Sequence, residues 1–414
     1  MNILIFQSGE PLHIDGGNPR PMRAMNFANK LVEKGHNVTL VSSRFYHQEK
    51  IQRKNPDFTK INEKLSVYLI SSPGYKKNVS LSRFYDHIIL AINLRRFLKS
   101  NEIKKPDVII SGYPPIETAY VLSKWAKQND LFYILDTKDQ WPTIIVKSIP
   151  KSFRFFARLI LFPMYLMAKY AMRNADINVS ISTGFLNWVE SFSGLSKLNQ
   201  SKVLPLVAPK INIDKNIYEQ SMKWWFDNGI KKNENLKIAF IGSFSRAFNF
   251  NHIFEAAKYC EEKGLLIEFI LCGKGEQTKR IQHQAQNIKN LKHINWIDIP
   301  KIKTLESIID LSIAPYISTN DFKMSIPNKV IDSFMAGLPV ITSLEGDLKN
   351  ILEQKQAGFY YNDAKTLIIL LEYLNNNREY ILEISTNASS LYKEKYDFES
   401  LYNNFTMEVE NLLQ

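Results

Sequence analysis

Short apolar runs rich in β-branched residues alternate along the chain with longer stretches of helical period. Residues 2–6 (NILIF), 37–42 (NVTLVS), 66–70 (SVYLI), 107–112 (DVIISG), 131–136 (LFYILD), 176–182 (DINVSIS) and 202–207 (KVLPLV) predict strands. Their continuous apolar character predicts burial on both faces. Between the first two runs, Ala24, Phe27, Ala28, Leu31 and Val32 recur at helical spacing. Gly35 is placed to end that helix. Strand, loop, helix and strand in this order begin a parallel α/β sheet.

The alternation stops at residues 208–235, which are polar and lysine-rich apart from Trp224, Trp225 and Phe226, and which read as a connection. It resumes at 236–242 (LKIAFIG), 266–273 (LIEFILCG), 293–297 (HINWI), 311–315 (LSIAP) and 338–343 (LPVITS). Two α/β domains of similar size are predicted, residues 1–207 and 208–395, with a closing helix at 396–414. In open α/β sheets ligands bind beyond the carboxyl ends of the strands, so the loops there are the candidates.

Composition narrows the class. The 414 residues fit two domains, and 45% hydrophobic with 23% charged residues excludes disorder and coiled coil as the main architecture. A net charge of +12 favours an anionic partner. Cys260 and Cys272 form neither a disulfide framework nor a metal site, which fits a reducing cytosol. No basic region precedes the first apolar run, so no signal peptide is expected. Residues 151–173 carry Lys151, Arg154, Arg158, Lys169 and Arg173 and no acidic residue. Their apolar stretch is too short for the ~20 residues of a membrane span. Mixed with Phe153, Phe155, Phe156, Phe162 and Tyr165, these charges suit a helix lying on an anionic membrane surface. A core helix with solvated flanking charges fits the same composition.

Five loops could carry chemistry. The first, residues 9–23, holds Gly16, Gly17, Arg20 and Arg23 before a helix start, a setting suited to an anion. It is neither a dinucleotide fingerprint nor a P-loop, and a plain turn fits it too. The second places Asp136, Lys138, Asp139 and Trp141 directly after a strand. A carboxylate there can accept sugar hydroxyls and Trp141 can stack on a sugar ring; equally, Asp139 can cap a helix and Trp141 can fill a core. The third runs from Ile241 through Ser243 and Arg246 into a helix, and the fourth is the turn Gly273, Lys274, Gly275. The fifth, SIPNKVIDSFMAGLPVIT at 325–342, opens a helix with Pro327, Asn328 and Lys329 and puts Asp332 on the lysine's face. The lysine can meet a diphosphate and the carboxylate a ribose diol.

In this order these strings resemble the retaining nucleotide-sugar glycosyltransferases of family 4. Gly16-Gly17 followed by Gly35-His36-Asn37-Val38 is similar to that family's diglycine loop and Gly-His-x-Val strand. Lys138-Asp139-Gln140-Trp141-Pro142 and the 326–341 string are similar to the branch that builds O-antigen and capsule sugars, often amino sugars. The resemblance implies a GT-B fold: two Rossmann-like α/β domains with parallel sheets facing a cleft, the first binding acceptor, the second binding donor, and a final helix crossing back. Donor contacts would come from Gly16, Gly17, Ser243, Arg246, Gly273, Lys274, Gly275, Pro327, Asn328, Lys329 and Asp332. Acceptor contacts would come from Arg20, Lys138, Asp139 and Trp141. Asp139, Arg246 and Lys329 would be catalytic, the cations neutralising the diphosphate leaving group. The chain departs from the family in four places: Met324 stands where the first of two glutamates is usual, Asp332 replaces the second, Lys138 replaces an arginine, and the usual Arg…Lys pair for the diphosphate is incomplete around Arg246.

The expected function is transfer of a sugar from a nucleotide donor, UDP-linked, to a lipid-linked glycan. The expected place is the inner face of the cytoplasmic membrane. No cofactor, metal or nucleic-acid partner is expected. A sugar-nucleotide epimerase of the same fold and a non-catalytic basic binding protein are the rival readings.

Overall fold

The computed structural model describes residues 1–17, 19–100, 102–195 and 200–413. Asn18 of the first loop and the last residue of the closing segment lie outside them. The chain forms two compact units. One is Met1–Ala208 with the chain from Glu399 onward, and the other is Pro209–Phe398.

The first unit is built on strands β1 (Asn2–Phe6), β2 (Asn37–Ser43), β3 (Phe45–Tyr46), β4 (Ile51–Gln52), β5 (Phe58–Lys60), β6 (Leu65–Ile70), β7 (Val108–Tyr113), β8 (Phe132–Thr137), β9 (Ile177–Ser180) and β10 (Ser201–Val203). Eight of them form one sheet in the order β10-β9-β8-β7-β1-β2-β6-β5, parallel except for β5, and β3 pairs with β4. Strand order reverses between β1 and β7. Right-handed crossovers then send helix Arg23–Glu33 to one face and helices Leu81–Phe97, Ile116–Asn129 and Phe162–Arg173 to the other.

The second unit contains β11 (Leu236–Ile241), β12 (Ile267–Cys272), β13 (Leu291–Ile294), β14 (Leu311–Ala314), β15 (Val340–Thr342) and β16 (Gly358–Tyr360). They form an all-parallel sheet, β13-β12-β11-β14-β15-β16, whose order reverses between β11 and β14.

The sequence missed β3, β4, β5 and β16, each only two or three residues long. The run at 202–207 is strand only through Val203. The segment read as a connection contains helix Lys215–Asp227. This helix buries Trp225 completely, with Nε1 donating to the Lys301 carbonyl at 2.9 Å and to Thr304 at 3.0 Å. Trp225 belongs to the core of the second unit and Trp224 packs against it, whereas Phe226 is exposed.

Two ion networks fix the first unit. The final helix, Phe398–Leu412, lies along helix Arg23–Glu33. Glu399 meets Lys30 at 2.6 Å, Glu410 meets His36 at 2.7 Å, and Tyr402 and Phe405 pack on Phe27. Beneath them, Arg23 and Asp136 form a buried pair at 3.2 Å. Arg23 also donates to the carbonyls of Leu204 and Pro205. Its charge is neutralised inside the fold and is not available to a ligand, contrary to the expectation for the first loop. Arg23→Met leaves the buried Asp136 carboxylate with only Lys138, 3.9 Å away, and should cost about 3 kcal/mol in the urea unfolding of this unit. Arg23→Met with Asp136→Leu should recover most of that loss. A single variant as stable as the wild type would contradict this role.

Candidate functional site

Where strand order reverses, helices leave on opposite faces and the loops splay apart, so a crevice opens at the carboxyl ends of the strands. Each sheet has one such point.

In the second unit it lies between β11 and β14. Two glycines end β11 and β12. Gly242 has φ +148° and Gly273 has φ +154°, and a Cβ on Gly273 would sit 1.8 Å from the Gly242 carbonyl oxygen. Only glycine allows the two loops to close up this way. A Cβ on Gly275 would likewise come within 2.6 Å of the Phe244 carbonyl oxygen. The loops are zipped by Gly242 N–H to Cys272 O, Phe244 N–H to Lys274 O and Gln277 N–H to Phe244 O.

Lys329 enters this crevice from the first turn of helix Asn328–Met335. Its Nζ is shielded from solvent and finds no hydrogen-bond partner among the described residues, although the side chain as a whole is half-buried. The ammonium lies 4.0 Å from the Phe240 ring centre, 4.1 Å from that of Phe248 and 5.8 Å from that of Tyr316. A Cβ on Gly242 would come within 2.7 Å of it. Ring quadrupoles stabilise a cation there, but they replace little of its lost hydration. Burial therefore pushes the lysine down to about 7, opposed by the charge of Asp332. The nitrogen is primed to gain from any anion that reaches it. Sequence reasoning found Lys329 and Asp332 but missed Phe240, Phe248 and Tyr316; they read as ordinary strand and core residues.

The other donor candidates divide. Ser243, Lys274, Gly275 and Asn328 are exposed at the same strand ends, and Pro327 and Asp332 are half-buried. Arg246 points into solvent, its side chain 88% exposed, paired with Glu276 at 2.8 Å. As placed, it makes no approach to Lys329 that the structure records. Gly16, Gly17 and Arg20 lie exposed in the first unit.

In the first unit the crevice lies between β1 and β7. The candidate anion site at the start of helix Arg23–Glu33 is already taken: the Glu10 carboxylate accepts from Ala24 N–H at 2.9 Å. Arg53 holds the loop by bonds to Asp15 at 2.7 and 2.8 Å. Lys138 donates to Gln7 and to Glu10, each at 2.5 Å. Asp139 accepts from Gln140 N–H, and the following helix, Thr143–Lys147, has Pro142 rather than Asp139 at its N-cap. Trp141 is only 7% exposed, with the Arg83 guanidinium 4.5 Å over its ring and His87 5.7 Å away. It therefore has no open face for a sugar; it shapes the wall on which Arg83 rests. A cavity of about 160 Å³ remains, lined in part by Gln7, Gly9, His47, Arg83, His87 and Lys138. Gly9 opens the first candidate loop and Lys138 belongs to the second; the others were not singled out from sequence, since His47 lies between β3 and β4 and Arg83 and His87 come from helix Leu81–Phe97.

No group of three or more His, Cys, Asp or Glu among the described residues is arranged to hold a metal ion. No single helix there is long and apolar enough to cross a membrane.

Residues 222–390 match the family model of glycosyl transferases group 1. No curated protein matches the sequence. Among solved structures, the fold is similar to sucrose-phosphate synthase from Thermosynechococcus elongatus (13% identity, 99% of this chain and 98% of that one, TM-score 0.69). It is also similar to HepE of Anabaena in complex with UDP-glucose (14%, 99% and 100%, TM-score 0.63). A third is WaaG, a glycosyltransferase involved in lipopolysaccharide biosynthesis (13%, 98% and 98%, TM-score 0.62). At such identities the likeness shows the GT-B fold. With the group 1 match it supports the GT-B glycosyltransferase superfamily.

Lys329 yields a prediction from linkage. Its folded value near 7 lies below the unfolded value, so between about pH 7 and 10.4 the unfolded chain binds more protons. The contribution of Lys329 to stability therefore rises as pH climbs through that window. Lys329→Met should unfold at a higher temperature than the wild type near pH 7. The gap should narrow toward pH 10. A gap that stays constant with pH would contradict the buried ammonium.

Proposed function

We propose that the chain transfers a sugar from a nucleotide-diphosphate donor, UDP-linked, to a lipid-linked glycan in surface polysaccharide assembly, with retention at the anomeric carbon. The observation that carries this reading is the unpartnered Lys329 Nζ at the β11/β14 crevice, within the residues that match group 1 glycosyl transferases. Fold neighbours that hold UDP or UDP-glucose support the choice of base, and WaaG supports the polysaccharide setting.

The chemistry needs little more than positioned charge. The bond between the anomeric carbon and the diphosphate oxygen breaks as the sugar becomes cation-like. The acceptor hydroxyl oxygen bonds to the same face of that carbon, and its proton passes to the departing diphosphate. Lys329 stabilises the charge growing on the leaving group, inside a site that already excludes water. Asp332, one turn along the same helix face, holds the ribose hydroxyls. Gly242 leaves room for the Lys329 ammonium, and Gly273 lets its loop close on the Gly242 carbonyl.

Residues 151–173 bring the enzyme to the inner face of the cytoplasmic membrane in this account. Their two helices, Lys151–Ile160 and Phe162–Arg173, meet at 66°. Phe153, Phe155 and Phe156 are 61–65% exposed among the basic residues, a face suited to lipid headgroups and not to a core.

Thermal unfolding against UDP, GDP and ADP tests the donor. UDP at 100 times its Kd should add about 2.7 kcal/mol. Lys329→Met or Asp332→Ala should weaken UDP by about tenfold or more. Equal shifts with all three nucleotides, or none with any, would contradict the reading. Cosedimentation with phosphatidylglycerol vesicles should fall as salt rises and be lost in Phe155→Glu with Phe156→Glu.

A further inference from the structure

The cavity in the first unit carries an inference of its own. It sits at the β1/β7 reversal, where an open α/β sheet takes its ligand. Its volume has room for about five waters, enough for one small polar group.

Arg83 forms no ion pair among the described lining residues, although its charge reaches Glu117 behind His87. Glu10 is the carboxylate that lines the cavity, and it is engaged by Lys138 and by Ala24 N–H. Arg83 touches neutral groups: it donates to the Asn78 carbonyl at 3.0 Å and lies over the rings of Trp141 and Tyr75, and its buried Nε finds no partner among the described residues. Lys50 adjoins through the same ring. Its Nζ is 4.7 Å from the centre of Tyr75, 2.6 Å from Asn78 Oδ1 and 2.9 Å from His47 Nδ1. Burial, then the charges of Lys50 and Arg83, push His47 down to about 4, so it stays neutral. His87 is 4% exposed and lines the cavity, and its Nδ1 also lacks a hydrogen bond. Glu117 stands 3.8 Å behind it, and burial raises that carboxyl to about 7, toward its neutral form. At the end of β7, Pro114 and Pro115 line the cavity and offer no N–H. The chain at Ser8 and Gly9 also lines the cavity.

We propose that this cavity binds a phosphate group carried by the acceptor, with Arg83 supplying the charge at its wall, Lys50 adding to it from beside the lining residues His47 and Tyr75, and His87 an uncharged contact. A phosphate monoester on the glycan, carrying nearly two negative charges at neutral pH, matches two neighbouring cations better than a single carboxylate does. The inference rests on the transferase reading, since it names the acceptor's chemistry.

The test is a ³¹P NMR titration of the full chain with inorganic phosphate and with hexyl phosphate, UDP being present at saturation. Both should bind the wild type, hexyl phosphate at least as tightly. Arg83→Gln and Lys50→Gln should each weaken both by about tenfold or more, with melting curves confirming that they fold. Lys329→Met should leave phosphate binding unchanged. Equal binding by wild type and Arg83→Gln overturns the site, as does loss of phosphate binding in Lys329→Met. Binding of inorganic phosphate without hexyl phosphate overturns its assignment to an acceptor. UDP binding is followed in the same samples. Its loss in the wild type defeats the donor reading, and its retention without Arg83-dependent phosphate binding defeats this inference alone.

Discussion

Each sheet reverses its strand order once, and that reversal is the constraint on which the functional surfaces depend. A right-handed crossover can follow a strand in either direction along a sheet, but the two directions place the helix on opposite faces. At β1/β7 and at β11/β14 the chain leaves adjacent strands toward opposite faces. No helix can then cover the gap above those strand ends. The gap must be lined by side chains that reach it from loops and helix starts, and those side chains decide what the gap accepts.

The two units line their gaps differently. In the first, most charges satisfy one another: Arg23 with Asp136, Arg53 with Asp15, Lys138 with Glu10. Removing one partner leaves a buried charge alone, so these pairs lock the loop geometry. What is left over is cationic and small. In the second, a single ammonium is held against aromatic rings, with the charge of Asp332 acting on it and no hydrogen-bond partner among the described residues. A folded protein tolerates such a group when a ligand later supplies the missing partner. That links the low proton affinity of Lys329 to the expected affinity for a diphosphate: both follow from one desolvated nitrogen.

The alternation of apolar runs made the two parallel sheets legible, because strands buried on both faces leave a continuous signal. Strands of two or three residues, such as β16, left none. The string around Lys329 and Asp332 was legible because a proline, a helix start and a spacing of three fall within a few residues. Its aromatic surroundings were not, since Phe240, Phe248 and Tyr316 come from three separate segments. Trp141 and Arg23 show the opposite error. Their chemistry suggested ligand contacts, and only the packing reveals that each is engaged inside the fold. Arg83, His47 and His87 carry no local motif at all. They meet because helix Leu81–Phe97, which carries Arg83 and His87, packs on β6, and β6 lies beside β2, after which the chain reaches His47.

The central claim is that a nucleotide diphosphate becomes the missing partner of Lys329. Side-chain NMR of ¹⁵N-lysine-labelled protein reads that nitrogen directly, with Lys329→Met assigning the signal. The account predicts a Lys329 amine titrating near 7 in the free protein and held protonated beyond pH 9 when UDP is bound. A Lys329 signal that titrates identically with and without saturating UDP would contradict it.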